Sequence, residues 1–174
     1  MFMIKELVHD PIFLGQKSEN ATIMDIQSAK DLLDTLMAHR LTCVGMAANM
    51  IGIRKRIICF SDDNKYITMF NPEIIEESQE TTSMSEGCLS IPGINESVKR
   101  PAKVLVNYID ENGEEQERWL EGFEARVFQH EYDHLEGKMF IDHLSTLRKQ
   151  MIKGKLNNML KGNVRCSYKV KTVK

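Results

Sequence analysis

The sequence FQHEYDHLEG, residues 128–137, contains the pattern HExxH at His130, Glu131 and His134. If this segment is helical, two histidines four residues apart lie on one face, where both imidazoles can reach a single divalent metal. Glu131 then lies beside the open position of that metal, where a carboxylate can accept a proton from water. The pattern predicts a metal-activated water on a helix, although a solvated helix with a polar i, i+4 pair is the alternative interpretation.

A third protein ligand is expected, because catalytic zinc and iron sites usually use three. No residue downstream of His134 has the spacing that zinc proteases use. Upstream, EGCLS at residues 86–90 offers Cys88, whose thiolate is a strong ligand for iron(II) or zinc. A buried structural cysteine is the alternative interpretation of Cys88.

A further segment, CVGMAANMIG at residues 43–52, is rich in small residues. By itself it predicts the end of a helix passing into a tight loop. Such a loop serves either packing or the close approach of a peptide backbone.

These three segments, in this order, resemble the signature motifs of the peptide deformylases, GxGxAAxQ, EGCLS and QHExDH. The second and third motifs are matched in full, and the segments at 98–101 and 122–126 are also similar to the family. The resemblance covers roughly residues 1–143. It implies that Cys88, His130 and His134 bind one divalent metal and that Glu131 is the catalytic acid and base. Fe(II) is the metal expected first, with Zn(II) and Ni(II) as alternatives.

The first motif departs from the family at two positions. Cys43 occupies the position of the first glycine, and Met50 occupies the position of the glutamine. The resemblance implies that the glutamine amide and the backbone N–H of Leu89 support the oxyanion that forms when water attacks a formyl carbon. Met50 has no donor, and loss of one oxyanion donor typically costs about 10²–10³ in turnover. Asn49 carries an amide, but a neighbouring side chain is expected to point elsewhere.

The resemblance also implies a reaction and a set of substrate contacts. The expected reaction is hydrolytic removal of the N-formyl group from N-formylmethionyl peptides of nascent proteins. The predicted substrate-binding residues are Val44, Gly45, Met50, Glu86 and Arg100.

Composition predicts a single domain over residues 1–174. The chain is 42% hydrophobic, enough for a core, and no linker rich in Gly, Ser or Pro divides it. The N-terminus lacks a basic segment followed by an apolar run, and no stretch approaches the ~20 apolar residues of a membrane span. Four cysteines without a CxxC pair are typical of a reducing compartment. We therefore predict a cytoplasmic protein that does not contact a membrane.

Local patterns predict an α+β fold, with antiparallel β-sheets around a central metal-bearing HExxH helix. One helix is expected at residues 23–40, after a cap at 20–22, and the active helix at 122–135. Asn112-Gly113 predicts a hairpin turn. The predicted strands are residues 56–60, 66–70, 103–108 and 115–120.

The C-terminal segment, residues 144–174, carries nine basic and no acidic side chains, whereas the remaining residues carry 14 basic and 25 acidic ones. This asymmetry favours an anionic partner, with a solvated basic face as the alternative. Its position and charge resemble the deformylase C-terminal helix that contacts the ribosome. An apolar stripe predicts a helix ending near Gly162. The stripe consists of Leu144, Leu147, Met151, Leu156, Met159 and Leu160.

Three other functions remain open from the residues alone. Met50 and Cys43 are compatible with a deformylase-like protein of weak or altered activity. The basic segment is compatible with a ribosome-binding module that carries a structural metal, although such a site has no evident need for Glu131. A Cys88 nucleophile with a histidine base is disfavoured, because HExxH supplies paired ligands rather than one base.

Overall fold

A computed structural model of the chain describes residues 3–62 and 65–171. Short 3₁₀ turns lie at Ile23–Asp25, Ala48–Ile51 and Phe140–His143. The helices and strands, in chain order, are β1 (Leu7–Val8), α1 (Pro11–Leu14), α2 (Ile26–Ala38), β2 (Gly45–Ala47), β3 (Ile57–Asp62), β4 (Lys65–Glu77), β5 (Thr81–Cys88), β6 (Ile91–Pro101), β7 (Lys103–Ile109), β8 (Glu115–Glu121), α3 (Gly122–Leu135), α4 (Thr146–Leu160) and β9 (Val170–Lys171).

Strands β2 to β8 form two antiparallel sheets around α3. One sheet has the order β2-β3-β4-β7-β8, the hairpin β5-β6 forms a second, and β1 pairs in parallel with β9. Phe128 and Leu135 of α3 pack into a core with Ile58, Phe60 and Val106 of the large sheet. The predicted α+β fold with a central HExxH helix is confirmed.

Helix α3 begins and ends where the sequence predicts, at Gly122 and Leu135. Gly122 has φ of +60°, a backbone conformation that favours glycine, so the chain can turn directly from β8 into the helix. The helix is buried on two sides: Phe128 faces the large sheet, while Arg126 and His130 contact the β5-β6 hairpin. The histidines are therefore held between two sheets.

The predicted helix at residues 23–40 is confirmed with a different start. Thr22 caps a 3₁₀ turn, because its hydroxyl accepts from the N–H of Met24 while the Asp25 carboxylate accepts from the N–H of Thr22 at 2.7 Å. The α-helical part, α2, begins only at Ile26 and ends at Ala38.

The strands predicted at residues 56–60, 103–108 and 115–120 are confirmed as β3, β7 and β8. The strand predicted at 66–70 is too short, since β4 continues to Glu77. Asn71 and Pro72 are residues typical of turns, but Asn71 has φ of +49° and forms an irregularity through which pairing with β7 continues. The Asn112-Gly113 turn is present within a longer loop, residues 110–114, in which Gly113 has φ of +82°.

Two segments near the active helix differ from the expectation. Residues 43–52 are not the end of a helix: they form β2 and a 3₁₀ turn, because their small side chains allow close burial between α2 and α3. The strands β5 and β6 were not expected, since β5 is polar and mostly exposed and so lacks apolar alternation. This hairpin carries Cys88 at the end of β5.

Helix α4 confirms the predicted C-terminal helix, but the apolar stripe is partly wrong. Leu147, Met151 and Leu160 are exposed. Leu144, Leu156 and Met159 of the predicted stripe do pack. Together with Ile152, which was not predicted, they join a core cluster with Ile91, Val98 and Phe140. A pair between Arg148 and Glu96 of β6 anchors the N-terminal turn of α4 and helps to set its rotation.

None of the helices in the described ranges combines the length and the hydropathy that crossing a bilayer requires. The single domain over residues 1–174 stays a prediction, and Lys174 of the basic segment lies outside the described residues.

Candidate active site

The side chains of Cys88, His130 and His134 meet at the junction of α3 and the β5-β6 hairpin. Their ligand-type atoms all lie within 4.8 Å of one another. The Sγ of Cys88 lies 3.5 Å from Nε2 of His134, and the centroids of the two imidazoles are 5.2 Å apart. The helix brings the two histidines together by its turn, and the hairpin supplies the cysteine.

Cys88 is held in a state suited to metal binding. Burial raises the pKa of a thiol, but the nearby imidazoles of His134 and His130 together outweigh it, so the pKa of Cys88 lies well below its ordinary value. A thiolate with two imidazoles is a donor set that divalent iron and zinc accept. The three side chains therefore fit a single divalent metal.

Glu86 is the centre of a buried charge network behind these residues. Its Oε1 lies 2.8 Å from Nδ1 of His130, and its Oε2 accepts from Nε of Arg100 at 2.7 Å and from Nη1 of Arg126 at 2.8 Å. Burial alone would raise the pKa of Glu86, but Arg100 and His130 hold it well below its usual range. Because Glu86 engages Nδ1 of His130, the other ring nitrogen is left for the site.

Further hydrogen bonds connect this charge network to residues nearer the surface. Nη1 of Arg100 donates to Oδ2 of Asp133 at 2.8 Å, and the same oxygen lies 2.7 Å from Nε2 of His143. Gln129 donates from Nε2 to the carbonyl of Pro101 at 3.0 Å, which joins α3 to the end of β6. These contacts orient the helix that carries the histidines.

Glu131 lies on the same buried stretch of α3, beside the group formed by Cys88 and the histidines. Burial raises its pKa to about 7, although His130 and His134 oppose this. Its Oε2 is buried and has no hydrogen-bond partner among the described residues. A cation at the neighbouring group would favour the carboxylate form. Glu131 is therefore placed to exchange a proton with a small molecule in the site.

Gly45 of β2 allows the chain to pass close to Glu131. A Cβ at this position would lie 2.9 Å from Oε1 of Glu131 and 2.8 Å from Cγ1 of Val127. Any larger residue would push against α3 at the carboxylate. The glycine is thus required by close approach rather than by an unusual backbone angle.

A cavity of about 170 Å³ opens at this group. Of the predicted residues, the lining includes Val44, Gly45, Met50, Glu86, Cys88, Leu89, His130 and Glu131. His134 is not one of the described residues that form the cavity lining, and its imidazole contacts Cys88. Among the described residues, Arg100 lies outside the lining, with its guanidinium bonded to Glu86 and Asp133. Its contact with substrate stays a prediction.

The cavity is also lined by Phe123, Arg126, Val127 and the side chain of Cys43, none of which was predicted from the sequence as a site residue. Arg126 carried a usable signal, since it precedes His130 by one helical turn and so shares its face. Phe123 and Val127 show the same spacing from one another. Cys43 donates from Sγ to the carbonyl of Gly45 at 3.0 Å.

Met50 lines the cavity as an apolar side chain and is almost fully buried. The amide of Asn49 is used elsewhere, because Nδ2 donates to the carbonyl of His134 at 2.9 Å. The expectation that Asn49 points away from the site is confirmed. No amide from this segment therefore replaces the glutamine of the family motif.

Comparison with known proteins agrees with this geometry. The family model for polypeptide deformylase matches residues 4–150. The chain belongs to the polypeptide deformylase family. A peptide deformylase from Cytophaga hutchinsonii is 38% identical over 173 residues, which cover 93% of this chain and 92% of the relative. A peptide deformylase from Pseudothermotoga lettingae is 40% identical over 171 residues, covering 95% of this chain and 98% of the relative.

Solved structures of the family share the fold. The crystal structure of a peptide deformylase from Legionella pneumophila superposes with a TM-score of 0.82 at 33% identity, covering 94% of this chain and 99% of that one. A Plasmodium falciparum peptide deformylase in complex with an inhibitor gives a TM-score of 0.81 at 32% identity, covering 90% and 99%. Family membership implies one catalytic metal, and the group at Cys88, His130 and His134 has the donor set to bind it.

Proposed function

We propose that this chain is a metal-dependent hydrolase that removes the formyl group from N-formylmethionyl peptides of nascent proteins. The observation that carries the proposal is the placement of the Glu131 carboxylate next to the Cys88, His130 and His134 group, at the base of a cavity. A nascent-chain substrate agrees with the cytoplasmic location that the sequence predicts.

Cys88, His130 and His134 would bind the metal, with Fe(II) as the first expectation and Zn(II) and Ni(II) as alternatives. A divalent metal at this position supplies Lewis acidity, which lowers the pKa of a water molecule toward neutrality and polarises a carbonyl oxygen. The thiolate of Cys88 offsets one unit of its positive charge, so this Lewis acidity is milder than in a site with three imidazoles. The position of His130 is maintained by Glu86.

Glu131 moves the proton in this reaction. Its carboxylate accepts a proton from water in the cavity, and the resulting hydroxide attacks the formyl carbon. The C–N bond then breaks, formate leaves, and Glu131 returns the proton to the amine nitrogen of the peptide. The backbone N–H of Leu89 is proposed to face the charge that develops on the formyl oxygen.

The cavity suits the end of an extended peptide. β2 is an edge strand of the large sheet. On this strand, the carbonyl of Gly45 accepts a hydrogen bond from the thiol of Cys43. An added peptide strand can pair with such an edge. Met50, Val127 and Phe123 supply an apolar wall that suits a methionyl side chain. Val44 and Gly45 are accordingly proposed as backbone contacts of the substrate.

A steady-state assay on a formyl-Met-Ala peptide with metal-loaded protein tests the proposal. Glu131→Gln keeps the size of the side chain but removes the base, so turnover should fall by about 10²–10⁴-fold while the metal content remains that of the unaltered protein. Equal turnover by the Glu131→Gln protein would contradict the assigned role of this carboxylate.

A second measurement concerns the ligands. We expect about one divalent metal per chain, with strong loss of metal in Cys88→Ser, because a hydroxyl does not replace a thiolate ligand. Cys43→Ser is the matched control, since Cys43 lines the same cavity but lies outside the three-residue group. Elemental analysis after dialysis makes the comparison. Full metal occupancy in both Cys88→Ser and His134→Ala would refute the assignment.

A second candidate function is the same reaction with weak turnover or altered substrate preference, and the surroundings of Met50 favour it. Met50→Gln adds an amide donor in the cavity, so turnover on a formyl-methionyl peptide should rise by up to about 10²-fold. The gain should appear in kcat rather than in KM, because the donor acts on charge that develops in the transition state. It should disappear when Glu131→Ala is added.

An unchanged rate in Met50→Gln, with normal metal content, would show that Met50 does not limit this reaction. Met46→Gln is not a suitable control, because Met46, unlike Met50, is not among the described residues that line the cavity. Met50→Leu is better, since it changes the side chain without adding a donor and should not raise kcat.

We also propose that α4 contacts the ribosome. Lys153 and Lys155 are exposed on this helix. Deleting the segment is an unsuitable test, because Ile152 and Met159 belong to the core. Lys153→Gln with Lys155→Gln should weaken co-sedimentation with ribosomes. The slope of the logarithm of the binding constant against the logarithm of the salt concentration should become less steep by about one unit for each phosphate that the helix no longer binds.

The matched control is Lys30→Gln with Lys65→Gln, which removes the same charge from exposed positions outside α4. If both double variants change co-sedimentation equally, the effect reflects net charge, and α4 is not the contact surface.

A further inference from the structure

The backbone that joins β5 to β6 is a two-residue loop, Leu89-Ser90, closed by the pair of Cys88 with Ile91. Two-residue hairpin loops favour turns that require positive φ. Neither loop residue has it: apart from glycines, Asn71 alone has positive φ among the described residues. The loop therefore lacks the turn geometry that fits a two-residue hairpin best. The pairing also shifts register between Gly87 and Cys88, which leaves residues 92–94 without a partner in β5, so this end of the hairpin has few pairs of its own.

Tyr168 contacts this loop from outside the hairpin. Its hydroxyl donates a hydrogen bond to the carbonyl oxygen of Leu89. Tyr168 belongs to the segment between α4 and β9, far from the hairpin in sequence. Tyr168, Leu89 and Cys88 also pack, partly buried, against the same apolar cluster. The C-terminal segment thus reaches the residue that follows the predicted cysteine ligand.

The position of the Tyr168 hydroxyl is itself set by other segments. The rings of His9 and His39 meet the Tyr168 ring edge-on, with centroids 5.7 and 5.6 Å away. Nε2 of His9 lies 3.2 Å from the hydroxyl oxygen. Because the single hydroxyl proton is donated to Leu89, His9 is the donor in this contact, and its imidazole also interacts with the backbone of Leu89.

The residues that follow Tyr168 in the sequence are also held in place. The N–H of Leu7 donates to the carbonyl of Lys169 at 2.9 Å, and β9 pairs with β1 directly afterwards. The tyrosine therefore stands between a paired strand and two histidine rings. Its hydroxyl has little freedom to leave the Leu89 carbonyl.

We propose that Tyr168 is a positioning residue of the active site: its hydroxyl holds the Leu89 carbonyl and thereby keeps the Leu89 backbone N–H directed into the cavity. The catalytic consequence rests on the proposed function, in which this N–H faces the developing oxyanion. Since Met50 supplies no second donor, this N–H is the proposed hydrogen-bond donor to the oxyanion. A residue of the C-terminal segment thereby influences chemistry at Cys88 and Glu131.

Tyr168→Phe tests the proposal, because it removes the hydroxyl and keeps the ring between His9 and His39. Tyr108→Phe is the matched control, since Tyr108 lies in the other core cluster, against the large sheet. Three quantities are measured on metal-loaded protein: amide hydrogen exchange across residues 86–92, metal content, and kcat and KM on a formyl-Met-Ala peptide.

In Tyr168→Phe we expect the Leu89 and Ser90 amides to exchange faster and kcat to fall by about 3- to 10-fold, the range of one net hydrogen bond. KM, metal content and the exchange of residues 94–99 should match the control. A positioning role predicts that kcat falls while KM is unchanged. General destabilisation would instead increase exchange throughout the hairpin.

Exchange at Leu89 and Ser90 that equals the control would overturn the proposal, and so would faster exchange with an unchanged kcat in an active enzyme. If the unaltered protein does not hydrolyse the peptide at all, the proposed function fails. Faster exchange confined to Leu89 and Ser90 would in that case still support the contact through which Tyr168 acts.

Discussion

The buried carboxylate of Glu86 is the interaction on which the site and much of the fold around it depend. Burying a carboxylate is costly unless it is paired and hydrogen-bonded. Here Arg100, Arg126 and His130 all bond to it. The three partners come from β6 and α3, so one side chain of β5 joins the hairpin to the central helix.

This arrangement links folding to chemistry. The hairpin brings Cys88 to α3 only if β5 lies against the helix, and the Glu86 network holds it there. The same carboxylate engages Nδ1 of His130 and so orients the imidazole toward Cys88. Removing the carboxylate would leave the guanidinium groups of Arg100 and Arg126 buried without their partner, which is far more costly than losing an exposed pair. The C-terminal segment adds a further constraint, because Tyr168 bonds to Leu89, the residue that follows Cys88.

Sequence predicts the helix and the pairing of its two histidines well because both have local signals. Gly122 marks the start of α3, and HExxH makes the two histidines neighbours as soon as that helix forms. The hairpin carrying Cys88 had no such signal, since β5 is polar on both faces and is held by ion pairs rather than by an apolar face. Glu86 was predicted to contact substrate, and its place in the charge network could not be seen because its partners are distant in sequence.

The same distinction explains the C-terminal segment. Its helix was predictable, but its packed face was predicted only in part, because the Arg148 pair with Glu96 joins α4 to another part of the chain. Tyr168 had no recognisable pattern at all: its contact with Leu89 depends on how the segment after α4 returns to β1. Met50 is the opposite case. A departure visible in the motif proved to be an apolar cavity wall, with the neighbouring amide directed to His134.

The most direct test of the central role of Glu86 is the metal affinity of Glu86→Gln, measured by competition with a chelator, beside urea unfolding. Glu121→Gln is the control, since its partner Lys103 is an exposed surface lysine. The structure predicts metal binding about 10- to 100-fold weaker in Glu86→Gln and a free energy of unfolding lower by about 3–5 kcal/mol, with little change in the control. Metal affinity and unfolding free energy equal to those of Glu121→Gln would contradict the account.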